Sequence, residues 1–222
     1  MRWRTVLLTT GLLLGMATGT AGAEGATIVD STRHGGRTVA FTFDDGPNPV
    51  DTPRLLRVLR KHHVKATFCL WGERVEQYPE VVRAIVAGRH ELCNHSWAHV
   101  DMSTWTPEQI KADLERTDAA IHRAVPGVPV RYFRAPFGAW GRTPEVAVAM
   151  GKSALGWRLA IGDWDPPPST DELVQRLRDG ITEGAVVLMH DGPASRANTV
   201  DAVDRIVPEL RQSGYRFDRP AR

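Results

Sequence analysis

The sequence predicts an α/β fold in which parallel strands alternate with helices, as an open sheet or as a barrel. Strand-like and helix-like segments alternate from Thr38 to Phe217, with no internal repeat. The run from Ala185 to Met189 is almost purely apolar, which is typical of a strand that is covered on both faces. Connections between such parallel strands are expected to be right-handed.

One helix-like segment lies between each pair of successive predicted strands. The strands are expected at 38–43, 65–71, 90–94, 130–135, 153–161, 185–189 and 215–217. The helices are expected at 52–62, 79–87, 107–125, 143–150, 170–180 and 200–212. Two of the helices begin with a capping box, at Thr106-Pro107-Glu108-Gln109 and at Ser169-Thr170-Asp171-Glu172.

The first 23 residues are interpreted as a secretory signal peptide, which leaves 24–222 as a single domain. Arg2 and Arg4 precede the apolar run from Val6 to Met16, which is too short to span a membrane. Ala21-Gly22-Ala23 then places small residues where a signal peptidase reads them. An N-terminal membrane anchor is the alternative. The signal peptide predicts a secreted protein, extracellular or associated with the cell wall.

The charge balance argues against general electrostatic binding to nucleic acid or to a membrane surface. Of the 28 basic residues, Arg2 and Arg4 leave with the signal peptide, and the remaining 26 equal the 26 acidic residues. A nearly neutral protein has no broad electrostatic attraction for a polyanion. We therefore expect a partner that is recognised by shape and local chemistry, with no nucleic acid and no membrane, and we expect a monomer.

Cys69 and Cys93 are the two cysteines of the chain. They can pair in an oxidising compartment, and neither belongs to a Cys-x-x-Cys motif that would indicate a thiolate metal site. Two buried free thiols are the slightly favoured interpretation. Since both residues lie near the carboxyl ends of successive predicted strands, we expect them to approach each other. A Cα–Cα distance above ~7 Å would exclude a disulfide.

Reactive side chains follow the carboxyl ends of the predicted strands. In strand order they are Asp44 and Asp45, His95 and His99, Arg134, Asp163 and Trp164, and His190. The carboxyl ends of the strands share one face of a parallel barrel, so residues distant in sequence converge there. This order predicts one composite active site.

The segment His95-Ser96-Trp97-Ala98-His99 places two imidazoles four residues apart. If the segment is helical, both rings lie on one face, a spacing that suits two ligands of a single divalent ion. Two solvated histidines on a helix face are the alternative. No such pattern supports a site role for the remaining histidines, which are His34, His62, His63, His90 and His122.

The adjacent carboxylates Asp44 and Asp45 follow a strand that contains the apolar residues Phe41 and Phe43. Without a nearby cation, the two charges would repel each other. Because neighbouring side chains point in opposite directions, we expect one of the two to bind a metal and the other to act as a base. An Asp-Gly-Pro turn with helix-capping carboxylates is the alternative.

Five motifs resemble those of the polysaccharide deacetylases, also called carbohydrate esterase family 4 or the NodB homology fold. Thr42-Phe43-Asp44-Asp45-Gly46-Pro47 is similar to the first motif, and His95 to His99 to the second, His-Ser/Thr-x-x-His. Arg134-Ala135-Pro136-Phe137-Gly138 resembles the third, Arg-x-Pro-x-Gly. Asp163-Trp164 resembles the end of the fourth, and Leu188-Met189-His190 the fifth. The motifs occur in family order.

The resemblance implies a single distorted (β/α) barrel with fewer than eight parallel strands. It also implies a divalent metal ion, often zinc, that is held by Asp45, His95 and His99. Three protein ligands leave one position open for water, as a catalytic metal site requires.

The resemblance implies a role for each remaining motif residue. Asp44 would be the general base and His190 the general acid, with Arg134 orienting Asp44 and Asp163 supporting His190. The substrate-binding residues would be Pro136, Phe137, Trp164 and Leu188. One position departs from the family pattern, because Ala160 stands where the fourth motif usually has a further Asp. This departure concerns the fine tuning of the reaction or the substrate preference. It leaves the metal ligands and the base in place.

The function implied by the resemblance is hydrolysis of N-acetyl groups on N-acetylglucosamine polymers, either chitin-like chains or peptidoglycan glycan. An acetylxylan esterase, which removes O-acetyl groups, is the alternative within the fold. A non-catalytic glycan-binding protein is the alternative of another class. A binding protein needs neither an acid nor a base, so the presence of Asp44 and His190 argues against it.

Overall fold

The computed structural model describes residues 26–164, 166 and 168–222. The signal peptide predicted at 1–23 lies outside these residues. Strands and helices alternate within them, as the sequence predicts. No helix in this part of the chain is both long and apolar enough to cross a membrane.

The bounds of the elements follow the predicted ones to within a few residues in most cases. The strands are β1 (Ile28–Val29), β2 (Thr38–Asp44), β3 (Thr67–Leu70), β4 (Glu91–Asn94), β5 (Val130–Phe133), β6 (Ser153–Leu155), β7 (Leu159–Ala160), β8 (Ala185–His190) and β9 (Arg216–Phe217). The helices are α1 (Asp51–Lys61), α2 (Gly72–Gln77), α3 (Pro79–Ala87), α4 (Pro107–Ala124), α5 (Thr143–Ala149), α6 (Thr170–Gly180) and α7 (Ala197–Gln212), with a 3₁₀ turn at Pro136–Gly138. Both predicted capping boxes are present, at α4 and α6.

The strands form one sheet in which all the strands pair in parallel. Their order is β1-β6-β5-β4-β3-β2-β8-β7, and β9 pairs with β2. Six strands in the described part of the chain have three residues or more. Three two-residue strands bring the sheet to nine.

The segment predicted as a single strand at 153–161 is instead divided into β6 and β7. β6 pairs with β5, whereas β7 pairs with β8, so this segment joins the two sides of the barrel. The change of partner occurs at Gly156, where a Cβ would lie 2.7 Å from the side chain of Ile28. The prediction of one strand was wrong because hydrophobic periodicity does not report which neighbour a strand pairs with.

The short helix α2 was not predicted from the sequence. Its first N–H groups, on Gly72 and Glu73, donate to the carbonyls of Ser96 and Trp97 at 2.9 and 3.0 Å. The helix start is therefore stabilised by the loop that carries the two predicted histidine ligands, a contact between segments that are distant in sequence.

Cys69 and Cys93 are direct partners in the parallel pairing of β3 and β4 and form a disulfide. Their Cα atoms are 4.2 Å apart, which confirms the expected approach. The favoured interpretation of two free thiols was wrong. Both residues are buried inside the barrel with Tyr132, Leu155 and Val186, so the barrel interior is packed beneath the active site.

Candidate active site

The predicted site residues converge at the carboxyl ends of the strands, around a cavity of about 420 Å³. Eight of them line this cavity: Asp44, Asp45, His95, His99, Phe137, Trp164, Leu188 and His190. Arg134, Asp163 and Pro136 are buried and do not line the cavity. Four further residues complete the lining, namely Ala135, Gly138, Trp157 and Arg196.

The two adjacent aspartates are separated by a change in backbone direction. Asp44 is the last residue of β2, and Asp45 has a left-handed backbone with φ 68°. The next residue, Gly46, packs against Asp191 so closely that a Cβ there would lie 2.5 Å from both carboxylate oxygens. Only glycine fits at this point, and the tight turn places Asp45 opposite the histidines.

The two predicted histidine ligands come from a loop and not from a helix. Ser96 and His99 both have positive φ angles, of 65° and 49°, which are incompatible with a helical turn. The Ser96 hydroxyl accepts the His99 N–H at 3.1 Å and holds the loop closed. The ring centroids of His95 and His99 are 5.0 Å apart. The two rings are therefore close together, as expected from the i, i+4 spacing. The expectation that they lie on one face of a helix was wrong.

Asp45, His95 and His99 form a cradle that fits a metal ion. One ligand atom from each of the three lies within 4.8 Å of the others. Asp45 Oδ1 is 3.4 Å from His95 Nε2 and 3.2 Å from His99 Nε2, and this buried oxygen has no hydrogen-bond donor among the described residues. His95 Nδ1 lies 2.8 Å from the Arg134 carbonyl and donates to it, so Nε2 keeps its lone pair. This donor set of one oxygen and two nitrogens suits zinc.

The ionisable groups of the cradle shift one another's pKa values. Burial alone would raise the pKa of Asp45, but the contact with His95 and the charges of His95 and His99 outweigh it and lower the pKa to about 2. Burial would lower the pKa of His95, yet the charge of Asp44 and the contact with Asp45 raise it. The pKa of His99 is lowered by burial and by the charge of His95. A bound cation would replace His95 as the charge that balances the two aspartates.

Arg134 fixes the carboxylate of Asp44 from behind. Its buried guanidinium donates at 2.7 Å to Asp44 Oδ1 and at 2.9 Å to the Thr42 hydroxyl. Its other nitrogens donate to the carbonyls of Leu155 and Gly156 at 2.9 and 2.8 Å. Because all three nitrogens of the guanidinium donate hydrogen bonds, Arg134 holds Asp44 in one orientation.

His190 at the end of β8 is held by Asp163 in the same way. His190 Nδ1 lies 2.8 Å from Asp163 Oδ1, and the His190 backbone N–H donates to Oδ2 at 2.9 Å. The Thr199 hydroxyl also donates to Oδ2, at 2.9 Å. Burial would lower the pKa of His190, but the hydrogen bond and charge of Asp163, followed by the charges of Asp44 and Asp45, raise it. His190 is therefore an imidazolium over a wider pH range than a free histidine.

Two exposed aromatic side chains border the cavity. Phe137 is 71% exposed, and its ring lies 4.5 Å from that of His99. Trp164 is 47% exposed, and its ring lies 5.6 Å from that of His190. Leu188 lies buried at the cavity wall. The backbone N–H of Phe137 donates to no described residue, whereas those of Gly138 and Ala139 are used within the 3₁₀ turn.

The sequence analysis missed Arg196, a buried residue that lines the cavity. Its guanidinium donates to the carbonyls of Gly192 and Asp163, and its backbone N–H donates to Asp51 Oδ2 at 2.7 Å. Arg196 thus connects the start of α1 to the segment that carries Asp163. Its position in a polar loop of the sequence offers no signal for this role.

Asp191 was also missed, although it directly follows His190. It is fully buried, its Oδ2 accepts the Thr52 hydroxyl, and its Oδ1 has no hydrogen-bond donor among the described residues. Burial, together with the charges of Asp45 and Asp44, raises its pKa to about 7. Its adjacency to His190 in the fifth motif is the one signal that could have drawn attention to it.

Comparison with known proteins agrees with this geometry. The family model for polysaccharide deacetylases matches residues 31–155. A chitooligosaccharide deacetylase of Bradyrhizobium sp. (strain ANU 289) is 37% identical over 195 residues, which cover 82% of this chain and 88% of that protein. The structure of the Bc1960 peptidoglycan N-acetylglucosamine deacetylase matches with a TM-score of 0.81 at 29% identity, over 86% of this chain and 90% of that one.

A pseudoenzyme also lies among the similar structures. It is a carbohydrate esterase family 4 protein from Bacillus anthracis, with a TM-score of 0.76 at 31% identity, over 82% of this chain and 63% of that longer chain. Its fold is shared, so the fold alone does not separate active members from inactive ones. The motif residues and the family match lead to one conclusion: this chain belongs to the polysaccharide deacetylase family.

Proposed function

We propose that the protein is a secreted, metal-dependent deacetylase that hydrolyses N-acetyl groups on N-acetylglucosamine polymers, either chitin-like chains or peptidoglycan glycan. The observation that carries this proposal is a metal-fitting cradle between two titratable groups, Asp44 and His190, each held by a buried partner. The named activities of the chitooligosaccharide and peptidoglycan deacetylase relatives support an N-acetylated glycan as substrate.

Hydrolysis of an acetamide requires an activated water, a stabilised oxyanion and a protonated leaving group. A divalent ion bound by Asp45, His95 and His99, with zinc expected, supplies Lewis acidity that lowers the pKa of water and polarises a carbonyl. Asp44 takes a proton from the water that attacks the acetyl carbon, while Arg134 keeps its carboxylate in place. The Phe137 N–H is available to donate to the developing oxyanion.

His190 completes the reaction by protonating the leaving group. The C–N bond breaks as the imidazolium transfers its proton to the departing amine, which leaves acetate and the free amino sugar. The Nδ1 contact with Asp163 keeps the ring oriented and leaves Nε2 for this transfer. A proton transfer by a positioned side chain is typically worth ~10²–10⁴ in rate, for the base and for the acid alike.

The cavity walls fit a small acyl group on a sugar. Leu188 and Trp164 are apolar surfaces beside His190 and would enclose the acetyl methyl group. Phe137 and Trp164 expose aromatic surface at the cavity, where sugar rings of a polymer can pack.

Acetate release from a panel of substrates tests the proposal. Three substrates are used, namely chitooligosaccharides, peptidoglycan and acetylxylan. Each is incubated with the protein alone, with the protein and a chelator, and with the chelated protein after addition of excess zinc. We expect acetate from an N-acetylated glycan, loss of release on chelation and recovery with zinc. Release from acetylxylan alone would instead show the esterase. Glycan binding without acetate release from any of the three would show a non-catalytic protein.

Secretion is supported by the predicted signal peptide and by the Cys69–Cys93 disulfide, because structural disulfides persist in oxidising compartments. Mass spectrometry of the protein from culture medium is expected to give a mature chain that begins at Glu24. An intact N-terminus in a membrane fraction would instead indicate the anchor.

A further inference from the structure

A second cavity, of about 580 Å³, lies at the other end of the barrel from the active site. It is lined by α1, α3 and the segments that lead into β3 and β4. Lys65 and Arg89 precede these two strands, whereas the catalytic residues follow the strands' carboxyl ends. We call this the cationic cavity and define it by Arg57, Arg60, Lys65, Arg89 and His90.

No carboxylate in the described part of the chain pairs with the four cations of the cationic cavity. No acidic residue lines the cavity, and none of the four forms an ion pair with any residue in the described ranges. Lys61, on the same helix as Arg57 and Arg60, does pair with Asp204, at 2.8 Å. Four cations without a carboxylate partner in the described ranges therefore share one cavity, and Lys65 Nζ donates instead to the Gly88 carbonyl at 2.6 Å.

His90 adds a neutral hydrogen-bond donor to the same cavity. Its Nδ1 accepts the backbone N–H of Ala66 at 3.2 Å, so the ring proton is on Nε2. Burial, followed by the charge of Lys65, lowers the pKa of His90 to about 4. Burial is the main cause of this shift and Lys65 the second, so the His90 ring is neutral and offers its Nε2 proton as a donor.

We propose that the cationic cavity binds a chain that carries phosphate groups. Guanidinium groups donate paired N–H bonds to phosphate oxygens, and the cations here belong to three separate segments, α1 and the segments before β3 and β4. Cations on more than one side suit a tetrahedral phosphate group better than a planar carboxylate. The cavity volume far exceeds one phosphate, which favours several linked groups.

The lining also has an apolar part. Leu56, Ala84 and Ala87 share the cavity with the cations, and Ala84, Ala87 and the four cations are exposed, so a ligand can reach the cavity from solvent. Because the cavity opens away from the active site, a bound chain leaves the catalytic cavity accessible. This inference does not depend on the proposed deacetylase activity.

Calorimetric titration with polyphosphate at low salt tests the inference, with two matched double variants. Arg57→Gln/Arg60→Gln removes two unpaired cations from the cavity. Lys61→Gln/Arg205→Gln removes the same charge from two cations that already pair with Asp204 and Asp171. We expect the cavity variant to bind polyphosphate at least about tenfold more weakly, given what charge-assisted hydrogen bonds contribute, and the control to stay near wild type.

Four further measurements make the result decisive. In wild type, polyphosphate is expected to shift the His90 ring signals in the NMR spectrum. Equal weakening in both double variants, or no binding of polyphosphate, would overturn the inference. Inorganic phosphate that binds as tightly as polyphosphate would overturn the assignment of a chain, and poly-L-glutamate that binds equally well would overturn the assignment of phosphate. Acetate release by the cavity variant should match wild type, which separates this test from that of the proposed function.

Discussion

At the residue scale, two adjacent aspartates of the same chemistry have different surroundings. Asp44 receives a hydrogen bond from a buried arginine, whereas Asp45 faces two histidine nitrogens through an oxygen that receives no hydrogen bond from the described residues. The first arrangement orients a proton acceptor, and the second leaves a ligand atom for a cation. The two residues can therefore be separated by substitution.

Asp44→Asn is expected to keep near-stoichiometric metal while turnover falls by roughly 10²–10⁴, the usual contribution of a general base. Asp45→Asn should instead weaken metal binding, and excess metal should restore part of its activity. Elemental analysis of metal content, beside acetate release at saturating metal, distinguishes the two. Loss of metal in Asp44→Asn with retention in Asp45→Asn would reverse the assignment, and identical behaviour would indicate a general electrostatic role.

Asp163→Asn is expected to move the alkaline limb of the kcat profile to lower pH. The general acid must be protonated, so activity falls as the pH rises through the pKa of His190. Asp163 raises this pKa, and its neutral replacement lowers it. Thr199→Val is the matched control, because it removes one hydrogen bond to Asp163 without changing charge and should shift the limb less. An alkaline limb that stays in place in Asp163→Asn would contradict the role of His190.

At the scale of elements, the disulfide joins β3 to β4 two residues before His95. The cross-link joins two residues that are 24 positions apart in sequence, so it reduces the number of conformations open to the unfolded chain. Cys69→Ala/Cys93→Ala should therefore lower the free energy of unfolding by about 3 kcal/mol. Urea denaturation measures this loss, and wild type treated with a reductant should show a similar value. An unchanged midpoint in both samples would show that the disulfide contributes nothing to stability.

At the scale of the whole molecule, the protein is expected to stay folded when the metal is removed. The main core spans β2, β3, β8 and the helices around them, whereas the three ligands lie at one end of the barrel. Chelation should therefore abolish acetate release and leave the far-UV circular dichroism spectrum unchanged, because a core of this size folds without a metal. Collapse of the spectrum on chelation would show that the metal is structural.

Local sequence was sufficient to predict most of the alternation of elements, both capping boxes and the convergence of Asp44, Asp45, His95, His99 and His190 at one cavity. Element type follows from hydrophobic period and from end signals within a few residues. The convergence of Asp44, His95 and His190 follows from one geometric rule, that the strand ends of a parallel barrel share a face. These features need no knowledge of which strands are neighbours.

The remaining features depend on contacts between segments that are distant in sequence, and the tertiary structure alone decided them. The division of 153–161 into two strands depends on pairing with both β5 and β8. The disulfide depends on the register of β3 against β4. Arg196 and Asp191 gain their roles through Asp51 and Thr52, at the start of α1. Since no local pattern encodes strand order or register, these contacts exist only once the barrel has formed.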